Sequence, residues 1–181
     1  RLTVTRGSGG RGLAVADELR PTVVVVGSPR PVRPPGFRAI TGSVARRNEQ
    51  SPSSRIKSTN YLDNILALRE ATSRGADDAV LLNTHGKVVC FTAANLLARI
   101  GSVFVTPPVA DGALPGTVRR HLLEQLPIKE ESLTSAQLAS ADEIIATNCL
   151  GIRQLLELDN KAVSSEPILL SRARALYDAM I

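Results

Sequence analysis

Lys57 heads the segment Lys57-Ser-Thr-Asn-Tyr-Leu62, just before the most helix-like stretch of this 181-residue chain. A lysine amine adds to a carbonyl and then shuttles a proton only when its surroundings lower its pKa toward neutrality. A lysine at the start of an amphipathic helix is otherwise a solvated surface cation, and the residues around Lys57 leave both readings open. Gly116-Thr-Val118 follows Pro115 and opens another helix, a place where unpaired amides and the helix dipole favour an anion. Thr147-Asn-Cys149 closes an apolar, strand-like run. Near the beginning, Arg6-Gly-Ser-Gly-Gly-Arg-Gly12 is rich in backbone donors and carries Arg11. No Gly-Lys-Ser/Thr ending follows those glycines, so a phosphate-loop reading fails; a strand-joining turn with a surface arginine is the plain alternative.

The elements that must hold these residues follow from period and punctuation. Residues 2–5 and 21–27 read as strands around the glycine-rich turn, with Val23-Val-Val-Val26 as a buried run. Residues 28–54 are dominated by Pro and Arg and form a connection, with one possible strand near residues 37–40. Residues 58–74 carry Leu62, Ile65, Leu66 and Leu68 at helical spacing and stop at Gly75. Residues 79–83, 88–91, 96–100 and 103–106, with turns at Thr84-His-Gly-Lys87 and Gly101-Ser102, read as an antiparallel meander. Helices are predicted over 117–125, 134–139 and 171–180, and a strand over 143–147. The division is a strand-loop-strand entry over 1–27, a connection over 28–54 and a core over 55–181, within one α+β domain built on an antiparallel or mixed sheet with flanking helices.

Composition narrows the function. With 43% hydrophobic and 22% charged residues the chain is an ordinary globular domain. Its net charge of +5 comes from scattered basic residues, and no Trp, three Phe and two Tyr offer little to stack on bases, so no nucleic-acid partner is expected. The spare cations suit an anionic small ligand instead. Cys90 and Cys149 have neither disulfide nor metal spacing, which predicts no metal and a reducing, cytoplasmic setting. The longest apolar run is too short to span a bilayer, and no leader pattern opens the chain. Residues 1–5 alternate as a strand without a preceding cap, so the reading expects protein upstream of Arg1.

Taken in order, Lys57-Ser-Thr-Asn-Tyr-Leu62, Thr92-Ala-Ala-Asn-Leu96, Thr106-Pro-Pro, Ala113-Leu-Pro-Gly116 with Arg119, and Ala141-Asp-Glu-Ile-Ile-Ala-Thr-Asn148 resemble the landmarks of class IV (fold-type IV) pyridoxal-phosphate enzymes. That family includes branched-chain and D-amino-acid aminotransferases and aminodeoxychorismate lyase; the glycine-rich segment and Thr92-Ala-Ala-Asn95 are most similar to the lyases. The resemblance implies the large C-terminal cofactor domain of the D-amino-acid aminotransferase-like fold, without the small N-terminal domain. It implies pyridoxal 5'-phosphate as cofactor, a small amino or carboxylate substrate, a homodimer, and Lys57 as the catalytic Schiff-base lysine. Asn60 or Tyr61 then faces the cofactor's phenolate oxygen. Gly116, Thr117 and Val118 hold its phosphate, with Thr147, Asn148 and Cys149 as a second contact; Asn95 completes the motif, and Arg11 is the candidate for the substrate carboxylate.

The chain departs from the family's Glu-x-Ser/Thr-x-x-Asn pattern, because Cys90 stands five residues before Asn95, where the glutamate faces the ring nitrogen. A thiol supplies no fixed negative charge, which favours a lyase over a transaminase. The alternative is a degenerate, non-catalytic member acting as a structural or interaction protein.

Overall fold

The computed structural model describes residues 1–15, 18–163 and 166–180. It divides the chain into two compact units, Arg1–Arg33 and Pro34–Ile181. The smaller unit is an antiparallel ribbon of β1 (Leu2–Thr5) and β2 (Thr22–Val25), paired from Leu2↔Val25 to Thr5↔Thr22. The four valines 23–26, expected to be buried, are exposed, since a two-stranded ribbon has no second layer of its own.

The larger unit is built on one mixed sheet. Its strands are β3 (Gly36–Arg47), β4 (Asp78–Asn83), β5 (Lys87–Phe91), β6 (Asn95–Ile100), β7 (Val103–Thr106), β8 (Ile128–Glu130), β9 (Leu133–Thr134), β10 (Glu143–Asn148), β11 (Gly151–Leu158) and β12 (Lys161–Ala162). The pairing β6-β10-β11-β3-β4-β5 returns to β6 through Cys90↔Asn95, so six strands close on themselves. β3 lies parallel to both β4 and β11, while the meander β4-β5-β6-β7 is antiparallel. The strand foreseen near residues 37–40 runs through to Arg47, inside what the sequence marks as a connection.

Side-chain alternation assigns each strand two jobs. Val80, Leu82, Ile144 and Ala146 point into the closed strand layer with Phe37, Phe91, Leu96 and Leu155. Phe37 and Phe91 meet there edge to face at 5.1 Å, an arrangement that adds about 0.5–1.5 kcal/mol to their burial. The intervening residues face helices. Ala79 and Leu81 pack on α1 (Leu62–Ser73), and Leu97 and Ile145 on α2 (Thr117–Gln125) and α4 (Ile168–Met180). The short α3 (Ser135–Ala139) starts at Thr134 with a reciprocal capping box to Gln137.

α1 departs from its sequence pattern at both ends of the argument. It begins at Leu62 rather than residue 58, because the Ser58 hydroxyl accepts from the Asn60 amide and holds the preceding residues in a turn. Its buried face is Asn64, Ala67 and Ala71, while Leu62, Ile65 and Leu68 are exposed. Small residues let the helix lie close on β3 and β4. Glu70 fastens it there, its carboxylate accepting from the Ser43 hydroxyl at 2.5 Å, the Ser43 amide at 2.9 Å and the Val44 amide at 3.1 Å. At the opposite side, buried Glu143 accepts from the Leu169 and Leu170 amides, both at 2.7 Å, and so caps α4.

Candidate active site

Four separate stretches of the larger unit meet around one cavity of about 270 Å³. The segment before α1 contributes Arg55, Lys57, Asn60 and Tyr61; the β5–β6 turn contributes Cys90, Thr92 and Asn95; the start of α2 and the end of β10 contribute Gly116, Thr117, Val118, Thr147, Asn148 and Cys149. Lys57, foreseen at a helix start, lies in irregular chain between the 3₁₀ turn Pro52–Arg55 and α1. Its Nζ donates to the Tyr61 hydroxyl at 3.3 Å and stands 5.3 Å from that ring's centroid. Among the described residues no carboxylate lines the cavity, whereas Arg47, Arg55 and Lys57 do.

The anion end is assembled by glycine. Gly116 is the N-cap of α2 and offers no side-chain cap, which leaves the first amides of the helix without a protein acceptor from that position. A Cβ on Gly116 would come within 2.1 Å of Asn95 Oδ1. Asn95 is held in place by its own amide donating to the Leu114 carbonyl at 2.8 Å. The Thr147 hydroxyl is buried beside this turn with no hydrogen-bond partner among the described residues. Asn148 differs, because its side chain is spent on the Ala93 carbonyl and the Leu150 amide. An uncapped helix start and an unpartnered buried hydroxyl in a carboxylate-free cavity fit a phosphate-bearing ligand.

Cys90 is buried, and burial pushes its thiol up to about 12, with Arg47 pulling the other way and Asp78 adding to the rise. It is therefore neutral at physiological pH. Asp78 is itself raised by burial, against the lowering effect of hydrogen bonds from Thr92 and Ala79.

Among the lining residues that the sequence does not single out, Asn64, Arg47 and Arg55 bring polar groups. Asn64 donates to the Thr92 carbonyl at 2.7 Å and ties α1 to the β5–β6 turn, while its Oδ1 is buried without a partner among the described residues. An amide on the Ala67–Ala71 face was the available signal. Arg47 donates to the Ser54 and Gly112 carbonyls, and Arg55 ends the 3₁₀ turn; nothing local sets either apart from the other arginines. Arg11 belongs to the smaller unit, in the loop between β1 and β2.

Residues 1–158 match the model of the amino-transferase class IV family. The chain belongs to that family. It is 34% identical over 176 residues to a provisionally named branched-chain-amino-acid aminotransferase of Methanocaldococcus jannaschii, covering 93% of this chain and 61% of that protein. It is 29% identical over 154 residues to the aminodeoxychorismate lyase of Bacillus subtilis, covering 82% and 53%. Among solved structures, the 4-amino-4-deoxychorismate lyase of Pseudomonas aeruginosa superposes with a TM-score of 0.85 at 32% identity, over 99% of this chain and 68% of that one. The chain thus spans about three fifths of the length of the first of these relatives. The mixed sheet with flanking helices is the fold shared with these neighbours. Among the described residues, no helix is long and apolar enough to cross a membrane, and no group of His, Cys, Asp and Glu could hold a metal ion.

Proposed function

We propose that this class IV family member uses pyridoxal 5'-phosphate to act on an amino acid or an amino-carboxylate such as aminodeoxychorismate, as a lyase in preference to a transaminase. The observation that carries the reading is the meeting of the Lys57 amine, the uncapped start of α2 and a Thr147 hydroxyl that has no partner among the described residues, around one cavity that none of their carboxylates lines. When bound, the cofactor supplies an aldehyde for an amine and a ring that withdraws electrons from the substrate's α-carbon. Every other task falls to the chain. The Thr117 and Val118 amides and the Thr147 hydroxyl hold the phosphate. Lys57 would hold the cofactor through its amine and would take and return the proton at the substrate's α-carbon. The Tyr61 hydroxyl, already 3.3 Å from Nζ, positions that amine.

Cys90 bears on which reaction follows. A neutral thiol at the ring nitrogen leaves less charge stabilisation for a long-lived carbanion, and elimination relieves that charge by expelling a leaving group. Aminotransferases and aminodeoxychorismate lyases are both among the proteins that the chain resembles. The same proposal includes a homodimer, expected from the family, and a reducing cytoplasmic setting, in keeping with two free cysteines. Arg11 remains the candidate for the substrate carboxylate. The test is borohydride reduction of the loaded protein followed by peptide mapping. The cofactor should stay on the Lys57 peptide, and label on Lys87 or Lys129 would end the assignment.

A further inference from the structure

The two cysteines share the cavity but differ in access. Cys90 is buried, whereas Cys149 is exposed and free. Cys149 follows Thr147 at the anion end, where the fully buried, unpartnered hydroxyl and the uncapped amides of α2 mark a place built for a ligand. Its carbonyl accepts from the Tyr177 hydroxyl of α4 at 3.1 Å, which ties down the turn between β10 and β11 that carries the thiol. The cations Arg47, Arg55 and Lys57 line the same cavity, and among the described residues no carboxylate does. That field draws anionic reagents and disfavours cationic ones.

We propose that Cys149 is a modification site for anionic low-molecular-weight disulfides, of which glutathione disulfide is the example, and that the adduct shuts phosphate esters out of the cavity. The inference rests on the reading of this cavity as the pyridoxal-phosphate site. In the exchange, the Cys149 thiolate attacks one sulfur of the disulfide. A new S–S bond forms, the old one breaks, and one glutathione leaves as thiolate and takes up a proton; a dithiol reverses the step. A tripeptide tethered at Cys149 carries its carboxylates to the same anion end of the cavity and competes there with a phosphate ester.

The test treats the cofactor-free chain with glutathione disulfide and follows intact mass, peptide mapping and pyridoxal-phosphate uptake by absorbance. One adduct should form on Cys149 and none on Cys90, uptake should fall at least tenfold, and dithiothreitol should restore it. Loading first should slow adduct formation at least tenfold. Cystamine, a dication, should react several-fold more slowly at low ionic strength. In Cys149→Ser, whatever its own uptake, the disulfide should change nothing. No adduct, an adduct on Cys90, undiminished uptake by the modified chain, or cystamine reacting as fast would each overturn the proposal while the cofactor reading stands. Failure of the unmodified chain to take up pyridoxal phosphate would overturn the cofactor reading, and the proposal with it.

Discussion

Replacing Cys90 with glutamate sets two opposed charge effects against each other, the cost of a buried anion and the attraction of a ring cation. The environment that pushes the Cys90 thiol from 9.0 to about 12 opposes an anion there by about 4 kcal/mol, at 1.36 kcal/mol for each unit. A carboxylate facing a protonated ring nitrogen would oppose that penalty, since any pair of unit charges about 4 Å apart attracts by about 4 kcal/mol at an effective dielectric constant of about 20. Without cofactor, the Cys90→Glu protein should therefore be less stable than wild type, and loading with pyridoxal phosphate should close most of that gap. If about 1–4 kcal/mol of the recovered interaction appears in the barrier, transamination half-reactions with small amino acids should quicken by about five- to a thousandfold, and elimination should change less. The assay pairs stopped-flow half-reactions with thermal midpoints measured with and without cofactor, and Cys90→Ala serves as the control for lost packing. A Glu variant that is less stable in both states and no faster than Cys90→Ala would refute the placement of residue 90 at the ring nitrogen.

Thr147→Val keeps the shape of a fully buried side chain and removes a hydroxyl that has no partner among the described residues. The thermal midpoint of the empty protein should hold or rise, while Kd for pyridoxal phosphate, read by equilibrium dialysis, should weaken about ten- to a hundredfold, the worth of a hydrogen bond to a charged group at about 1.5–3 kcal/mol. Gly116→Ala drives a methyl to within 2.1 Å of Asn95 Oδ1 at an ordinary φ of −68°. Its cost of about 1–3 kcal/mol is steric, so calorimetry should show a lowered midpoint together with lost cofactor binding, and Asn95→Ala in the same chain should restore part of the stability. Glu70 has its carboxyl brought down to about 2, because bonds from Ser43, Val44 and Arg74 outweigh the effect of burial. A depressed carboxyl stabilises above its unfolded pKa, so Glu70→Gln should cost about 1–2 kcal/mol near pH 7, after allowance for solvent screening. In urea titrations the difference from wild type should shrink as pH falls below about 4.5 toward 2; a constant difference across that range would remove the charge explanation.

Local pattern was enough for much of this protein. Period-two runs and the turns at His85-Gly86 and Gly101-Ser102 mark the β4–β7 meander, because cross-strand pairing there joins neighbours in sequence. Pro115-Gly116 announces α2 to the residue, since a glycine N-cap after proline is a local device. The ordered motifs were also sufficient to indicate the family, as they name residue types without needing their positions in space. Tertiary structure decided the rest. Leu62, Ile65 and Leu68 read as the buried face of α1, yet the alanine face is buried, because the distance at which the helix lies on β3 and β4 is a property of the whole layer. β11 went unseen since its alternation breaks at a bulge between Leu155 and Glu157, and its partners β3 and β10 include one more than 100 residues away. At the site, sequence supplied Lys57, Gly116 and Thr147 as candidates; only the closed strand order brings the three to one cavity and leaves the buried Thr147 hydroxyl without a partner among the described residues. Hydrogen-bond satisfaction is a sum over everything that surrounds an atom, and no stretch of chain carries that sum by itself.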